Sequence, residues 1–147
     1  MKLDDVLNDK GHDVVTATPG ATILEAIGIL VGHNIGALAV VDSEGHLVGI
    51  FSERDVLRLC DGNDPPNFAA MRLSEHMSTE LITVDCQTGV EDALTIMTEK
   101  RIRHLPVVAA SKLKGMVSQG DLVKAMLDDA RHEAQQLTNL VTGKYPA

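Results

Sequence analysis

The sequence has few aromatic residues and few cysteines. Its 147 residues include one Tyr, two Phe and no Trp, so the core must be built from aliphatic side chains. Binding that depends on stacking exposed bases on many aromatic rings is therefore disfavoured. The two cysteines, Cys60 and Cys86, form neither a C-x-x-C pair nor a disulfide-rich pattern. We expect both to be buried thiols.

Positive charge and long apolar runs are also scarce. The formal net charge is −8, which disfavours contact with a nucleic-acid backbone. No apolar run approaches the roughly 20 residues of a membrane span, and the first residues lack the basic and apolar regions of a signal peptide. The sequence thus predicts a cytoplasmic protein that binds neither nucleic acid nor membrane.

Sequence signatures of catalysis and of metal binding are missing. The six histidines are scattered without metal-ligand spacing, so no metal is expected. There is no Gly-rich phosphate loop with its lysine, and no Ser, His and acid grouping that indicates a nucleophile. We therefore do not expect an enzyme.

The main feature that is present is an internal repeat. Residues 47–57 (LVGIFSERDVL) recur as residues 113–123 (LKGMVSQGDLV). From Thr16 to Val41, each residue matches a residue of the second copy at one constant distance along the sequence. The second copy lacks one residue of the turn before the position of Leu47, so the distance is shorter by one from there on. Repeats of this length indicate supersecondary units that complete each other's cores.

Each copy reads as strand, helix, strand, strand, helix. In the first copy, a β-branched segment at residues 14–18 precedes a capping box at Thr22 and Glu25 and then an apolar helical face. An apolar strand at residues 35–41 and the repeated segment follow. The second copy matches these elements at residues 81–84, 90–97 and 102–108.

The repeats define the expected domain organisation. We predict a first repeat with a short N-terminal helix at residues 1–60, a polar linker at 61–70, a second repeat at 71–127 and a C-terminal helical tail at 128–147. Gly143 and Pro146 should end the last helix. Its sparse apolar stripe favours packing against a second subunit and consists of Met126, Ala130, Ala134, Leu137 and Val141.

The Ser-x-x-Asp motif within each repeat has two interpretations. A Ser with an acidic residue three positions later is typical of a capped helix start. The same junction suits a ligand, because backbone N–H groups at a helix start favour anions and an Asp accepts hydrogen bonds from a diol. The recurrence of the motif at the same place in a long duplication favours the ligand site.

These motifs together resemble a known family. The repeat itself, the Leu-Val-Gly-Ile-x-Ser-x-x-Asp string and Arg103-His104-Leu105-Pro106 resemble a tandem pair of CBS domains, and more narrowly the small stand-alone bacterial proteins with two such domains. The resemblance covers about residues 1–130. It implies a mixed α/β (α+β) fold in which two β-α-β-β-α repeats pack by pseudo-two-fold symmetry, with a C-terminal helix added. Such pairs usually form homodimers.

The resemblance also implies two clefts for adenosine-type ligands such as AMP, ATP, NAD or S-adenosylmethionine. Each cleft combines the Ser-x-x-Asp motif of one repeat with strand residues of the other. The first cleft would use Ser52, Arg54, Asp55, Ile82, Thr83, Asp85, Ile102, Arg103 and His104. The second would use Ser118, Asp121, Thr16, Thr18, Ile23, Ile35, Gly36 and Ala37.

The chemistry of these side chains suggests their roles. Asp55 or Asp121 would accept hydrogen bonds from the ribose hydroxyls, and such charge-assisted bonds are roughly twice as strong as neutral ones. Ser52 or Ser118 would donate to a phosphate. The isoleucines would enclose the adenine, since apolar walls with few polar groups suit such a site.

The two clefts are expected to differ in charge. Arg54, Arg103 and His104 would converge on the first, whereas the matching positions of the second hold Gly120, Gly36 and Ala37. Because Arg can grip phosphate with two hydrogen bonds, we predict that the first cleft is the stronger phosphate binder. The alternatives are that Arg101 and Arg103 are solvated and that His104 is structural.

The leading hypothesis is a regulatory module that binds an adenine nucleotide and senses its level. AMP is the first choice of ligand, with NAD and ATP as alternatives. The protein that the module would regulate is unknown. The alternative function is a structural dimerisation platform in which both Ser-x-x-Asp motifs only cap helices. Nucleic-acid binding is a third hypothesis, which the charge disfavours.

Overall fold

The computed structural model describes residues 1–62 and 64–143. Asn63 of the predicted linker and residues 144–147 of the predicted tail, including Pro146, lie outside this part. Within it, the helices are α1 (Leu3–Lys10), α2 (Ile23–His33), α3 (Glu53–Cys60), α4 (Leu73–His76), α5 (Val90–Lys100) and α6 (Gln119–Thr142), with a 3-10 turn at Phe68–Ala70. The strands are β1 (Thr16–Ala17), β2 (Ala37–Val41), β3 (Leu47–Ser52), β4 (His104–Ala109) and β5 (Lys112–Ser118).

The strands form one small sheet in each repeat. In the first sheet β1 runs parallel to β2, and β2 pairs antiparallel with β3. In the second sheet β4 pairs antiparallel with β5, and the strand predicted at residues 81–84 is reduced to one parallel pairing of Val84 with Val107. The predicted mixed α and β fold with two repeats and a C-terminal helix is confirmed.

The two sheets meet at their hairpin turns. The β4–β5 turn is made by Ala110 and Ser111, whose φ angles of 50° and 65° match the tight hairpin turn that follows strand twist. The β2–β3 turn is longer and uses Gly45 at φ 83°. The backbone N–H of Leu47 donates to the carbonyl of Ser111 at 3.1 Å, so the turns join the repeats.

Each repeat completes its core with the helix that precedes the other repeat. Leu3 and Leu7 of α1 are fully buried among the side chains of the second repeat. Leu73 of α4 is fully buried in the first repeat. This crossed packing follows from the duplication, because each sheet needs an apolar helix on the face that its own repeat leaves open.

Two glycines allow this crossing. A Cβ atom at Gly115 would lie 2.6 Å from Leu7 Cδ2, and a Cβ atom at the matching Gly49 would overlap the side chain of Met77. Real side chains cannot approach that closely, so the single glycine within each repeated strand marks where a helix from the other half is seated.

The C-terminal helix is continuous with the last helix of the second repeat. It starts after Ser118, whose hydroxyl accepts from Asp121 N–H at 3.0 Å, and it ends at Gly143 with φ 73°, as predicted.

Cys86 is half-buried, whereas Cys60 at the end of α3 is exposed, so the prediction that Cys60 is buried was wrong. Over the described residues, no helix has both the length and the apolar composition needed to cross a membrane.

Candidate functional site

A cavity of about 250 Å³ opens between the two repeats. Its walls come from the start of α3, from the segment before α5 and from the start of β4. It gathers most residues predicted for the first cleft, namely Ser52, Arg54, Asp55, Ile82, Ile102, Arg103 and His104. Thr83 and Asp85 are exposed and do not line it; Asp85 instead accepts from Gln87 N–H at 2.8 Å in a turn.

Asp55 caps its own helix and also borders the cavity. Its Oδ2 atom accepts from the backbone N–H of Ser52 at 2.8 Å and from the Ser52 hydroxyl at 3.2 Å. Its Oδ1 atom lies 3.5 Å from Arg58 Nη1, and the side chain is 16% exposed. The two interpretations of the Ser-x-x-Asp motif therefore do not exclude each other, because Oδ2 holds the cap and Oδ1 makes only a long contact with the exposed Arg58.

The mouth of the cavity is rich in arginine. Arg54, Arg58, Arg101 and Arg103 line it, together with the acidic side chains of Glu53, Asp55 and Glu80. The balance is locally positive in a chain whose net charge is −8. Arg58 and Arg101 were not predicted as site residues, although Arg58 follows Arg54 at the spacing that places both on one helix face.

Arg101 adopts an unusual backbone conformation at this mouth. It ends α5 with φ 55°, in the left-handed region where Gly or Asn is the usual residue. The matching residue in the first repeat is Asn34, which ends α2 with φ 52°. The fold therefore provides the same turn twice, and only the copy at this cavity carries a guanidinium group.

His104 lies at the junction of the two repeats. Burial lowers the pKa of its imidazole, and the charge of Glu53 opposes this shift in part. A Cβ atom at Gly36 would lie 3.3 Å from His104 Cε1, so the starts of β2 and β4 face each other closely. For this reason Gly36 and Ala37, predicted for the second cleft, line the first cavity.

The second Ser-x-x-Asp motif has a different partner. Asp121 Oδ2 accepts from Ser118 N–H at 2.8 Å and from the Lys10 ammonium at 2.6 Å. Burial alone would raise the pKa of Asp121, but the hydrogen bonds from Lys10 and Ser118 outweigh it and lower the pKa. The cavity beside this pair is lined by residues of α1 and α6 and by Met1.

The other residues predicted for the second cleft do not line that cavity. Thr16 and Thr18 are exposed around β1, and Ile35 is half-buried after α2. Ile23 is fully buried in the core of the first repeat. Its side chain has no surface to offer to a ligand, so we reassign Ile23 from the site to the core.

The fold agrees with comparisons to known proteins. The family profile described as "CBS domain" matches residues 5–62 and again residues 73–128. Since these matches cover most of the chain, the chain belongs to the CBS domain family, and it contains two such domains.

Similar proteins support the same assignment. The "CBS domain-containing protein CBSX3, mitochondrial" of Arabidopsis thaliana is 35% identical over 97% of this chain and 73% of its own length. The crystal structure of the CBS-domain containing protein ATU1752 from Agrobacterium tumefaciens superposes with a TM-score of 0.80 at 36% identity, over 86% of this chain and 99% of that chain.

A second similar structure contains ligands. It is the CBS domain pair of protein MJ0100 in complex with 5'-methylthioadenosine and S-adenosyl-L-methionine. It superposes with a TM-score of 0.75 at 28% identity, over 86% of this chain and 99% of that chain.

Proposed function

We propose that this CBS pair is a regulatory module, without chemistry of its own, that binds an adenine nucleotide in the first cleft and senses its concentration. The observation that carries the proposal is the inter-repeat cavity, which combines one partly available carboxylate, apolar walls and four arginines. The adenosine-type ligands of the MJ0100 pair support the ligand class.

The cavity suits the adenosine part of a nucleotide. Ile82 and Ile102 provide apolar walls for the base, and Asp55 Oδ1 provides an acceptor for a ribose hydroxyl. The volume of about 250 Å³ is near the lower limit of about 300 Å³ for small-molecule sites. The base and sugar would therefore fill the cavity, and the phosphates would extend to its mouth.

The arginines at the mouth favour anionic nucleotides. Guanidinium groups bind phosphate with paired, charge-assisted hydrogen bonds, and Arg54, Arg101 and Arg103 have no carboxylate within salt-bridge distance among the described residues. This arrangement favours AMP, ATP or NAD over the uncharged methylthioadenosine and the sulfonium ligand of the MJ0100 pair.

Binding at this place would couple the two repeats. The cavity walls belong to α3 of the first repeat and to β4 of the second, so a bound nucleotide contacts both halves. A ligand shifts a conformational equilibrium only by its difference in affinity for the two states, and a tenfold difference supplies about 1.4 kcal/mol. A partner protein that binds one of the two conformational states more tightly would then respond to the nucleotide concentration.

Calorimetric titration with AMP, ATP, NAD and S-adenosylmethionine tests the proposal. We expect saturable binding of at least one of the phosphate-bearing ligands and weaker binding of S-adenosylmethionine. Asp55→Ala should weaken binding by about tenfold or more, because hydrogen bonds to a charged group contribute about 1.5–3 kcal/mol. Asp121→Ala removes the equivalent helix cap in the other repeat and is the matched control.

Absence of binding would contradict the proposed function. If none of the four ligands releases or absorbs heat, and if mass spectrometry finds no nucleotide released from the denatured protein, the sensor function is wrong. The duplicated fold would then serve as a structural platform, with both Ser-x-x-Asp motifs acting only as helix caps.

We further propose that the module works as a homodimer in the cytoplasm. Val31 of α2 and Leu57 of α3 are 76% and 69% exposed, and the apolar stripe of α6 from Met126 to Val141 is also exposed. Free thiols at Cys60 and Cys86 suit a reducing compartment. Light scattering should give twice the chain mass, and Leu57→Glu should lower it; a monomeric wild-type protein would contradict the dimer.

A further inference from the structure

Lys10 contacts two groups of the second repeat whose counterparts in the first repeat belong to residues that line the first cleft. Its ammonium lies 2.6 Å from Asp121 Oδ2 and donates to the carbonyl of Met116 at 2.8 Å. Asp121 is the counterpart of Asp55, and Met116 is the counterpart of Ile50. Among the described residues, the counterparts in the first cleft have other partners, since Asp55 Oδ1 lies 3.5 Å from Arg58 Nη1 and the Ile50 carbonyl accepts a backbone hydrogen bond.

The difference arises from the lengths of the two crossing helices. In the first cleft α4 stops at His76, and the backbone N–H of Ser78 donates to the carbonyl of Ile50 at 2.8 Å. In the second cleft α1 continues to Lys10, so the carbonyl of Met116 receives its hydrogen bond from a side-chain cation instead. That cation then lies against the carboxylate that a ribose would need.

We propose that Lys10 is a specificity-determining residue that competes with the nucleotide for Asp121 and so restricts high-affinity binding to the first cleft. This inference rests on the proposed nucleotide binding. A ribose hydroxyl is a neutral donor, whereas the Lys10 ammonium is a charged donor already in place on the same chain. In the second cleft a ligand must displace an ammonium at 2.6 Å, whereas the cation beside Asp55 in the first cleft is the 72% exposed Arg58, at the longer distance of 3.5 Å.

The contact is only partly shielded from water, which makes it replaceable. The Lys10 and Asp121 side chains are 40% and 27% exposed, so the pair contributes little to the stability of the fold. Removing the ammonium should therefore change ligand binding without unfolding the protein. Lys124 lines the same cavity, but its nearest carboxylate is Asp128 at 3.9 Å, so Lys124→Met is a matched control of charge.

The test is calorimetric titration of the full chain with ATP. Wild-type protein and Lys124→Met should each show one high-affinity site per chain. Lys10→Met should show a second site that is weaker than the first, because the cavity beside Asp121 is lined by four further aspartates and by no arginine. The double variant Asp55→Ala with Lys10→Met should retain one site, at Asp121, whereas Asp55→Ala alone should show none of high affinity.

The other outcomes separate this inference from the proposed function. Binding by the wild type with no change in Lys10→Met overturns the role of Lys10 and leaves the proposed function intact. Two equal sites in the wild type, or a site lost in Lys10→Met, also overturns it. Binding by Lys10→Met alone supports the role of Lys10 and refutes binding in the first cleft, and absence of binding in both proteins refutes both.

Discussion

The two halves of the molecule are equal in packing but unequal in chemistry. Each half receives a buried leucine from the other, and each has a Ser-x-x-Asp motif that caps a helix. Only the first motif borders a cavity lined by four arginines, whereas the second is paired with Lys10. Duplication of a fold therefore does not by itself duplicate the charge around a helix cap, because the neighbouring charged residues can differ between the copies.

The equality of packing is tested most strongly by Leu3→Ala and Leu73→Ala. Both side chains are fully buried in the repeat opposite their own, so each substitution should cost ~2–5 kcal/mol of unfolding free energy. Denaturant titration measures this cost. Hydrogen exchange should show Leu3→Ala weakening protection first in β5, and a cost below about 1 kcal/mol would contradict the crossed packing.

Substitutions of the two glycines should differ by a smaller amount in their effect on stability. Gly115→Ala forces a methyl group against the branched end of Leu7, and overpacking of this kind costs ~1–3 kcal/mol. Gly49→Ala meets Met77, whose flexible thioether can move aside, so its cost should be lower. Thermal unfolding of the two variants compares them directly, and a reversed order would show that Met77 is the more rigid neighbour.

The inequality of charge is tested at the arginines. Arg54→Gln and Arg103→Gln should each weaken ATP binding by about tenfold, because each removes a charged donor at the mouth of the cavity. Binding of adenosine, which has no phosphate, should change little. Arg131→Gln on the exposed part of α6 is the control. Equal losses for ATP and adenosine would mean that these arginines shape the cavity rather than bind phosphate.

The smallest expected effect concerns His104, which lies between the clefts. Burial lowers its pKa below the ordinary value of 6.5, so the unfolded chain binds more protons than the folded chain at mildly acidic pH. Stability should therefore fall as the pH decreases below about 6.5, until the pH reaches the lowered pKa. His104→Asn should lose this dependence, whereas an unchanged profile in the variant would assign it to other groups.

The repeat, the helices and the hairpins could be predicted from local sequence. Apolar periodicity located α2 and α5, and the capping box at Thr22 located the start of α2. The strand predicted at residues 81–84 could not be judged in this way, because a strand exists only if a partner pairs with it, and here only Val84 does so. Strand boundaries depend on tertiary pairing more than on composition.

The placement of the candidate site residues follows from the sequence where it depends on motifs, and does not where it depends on packing between the halves. Asp55 and Arg103 line the same cavity, as their motifs, each contiguous in sequence, predict. The contact of Lys10 with Asp121 joins residues 111 positions apart, and it arises only because α1 crosses to the second repeat. Gly36, predicted for the second cleft, lines the first cavity for the same reason, since the starts of β2 and β4 face each other across the junction.

A crystal structure of the protein grown with ATP tests the central claim most directly. We expect adenosine between Ile82 and Ile102, a ribose hydroxyl within hydrogen-bond distance of Asp55, and Lys10 still paired with Asp121. A nucleotide bound at Asp121 with Lys10 displaced, while the cavity beside Asp55 stays empty, would contradict it.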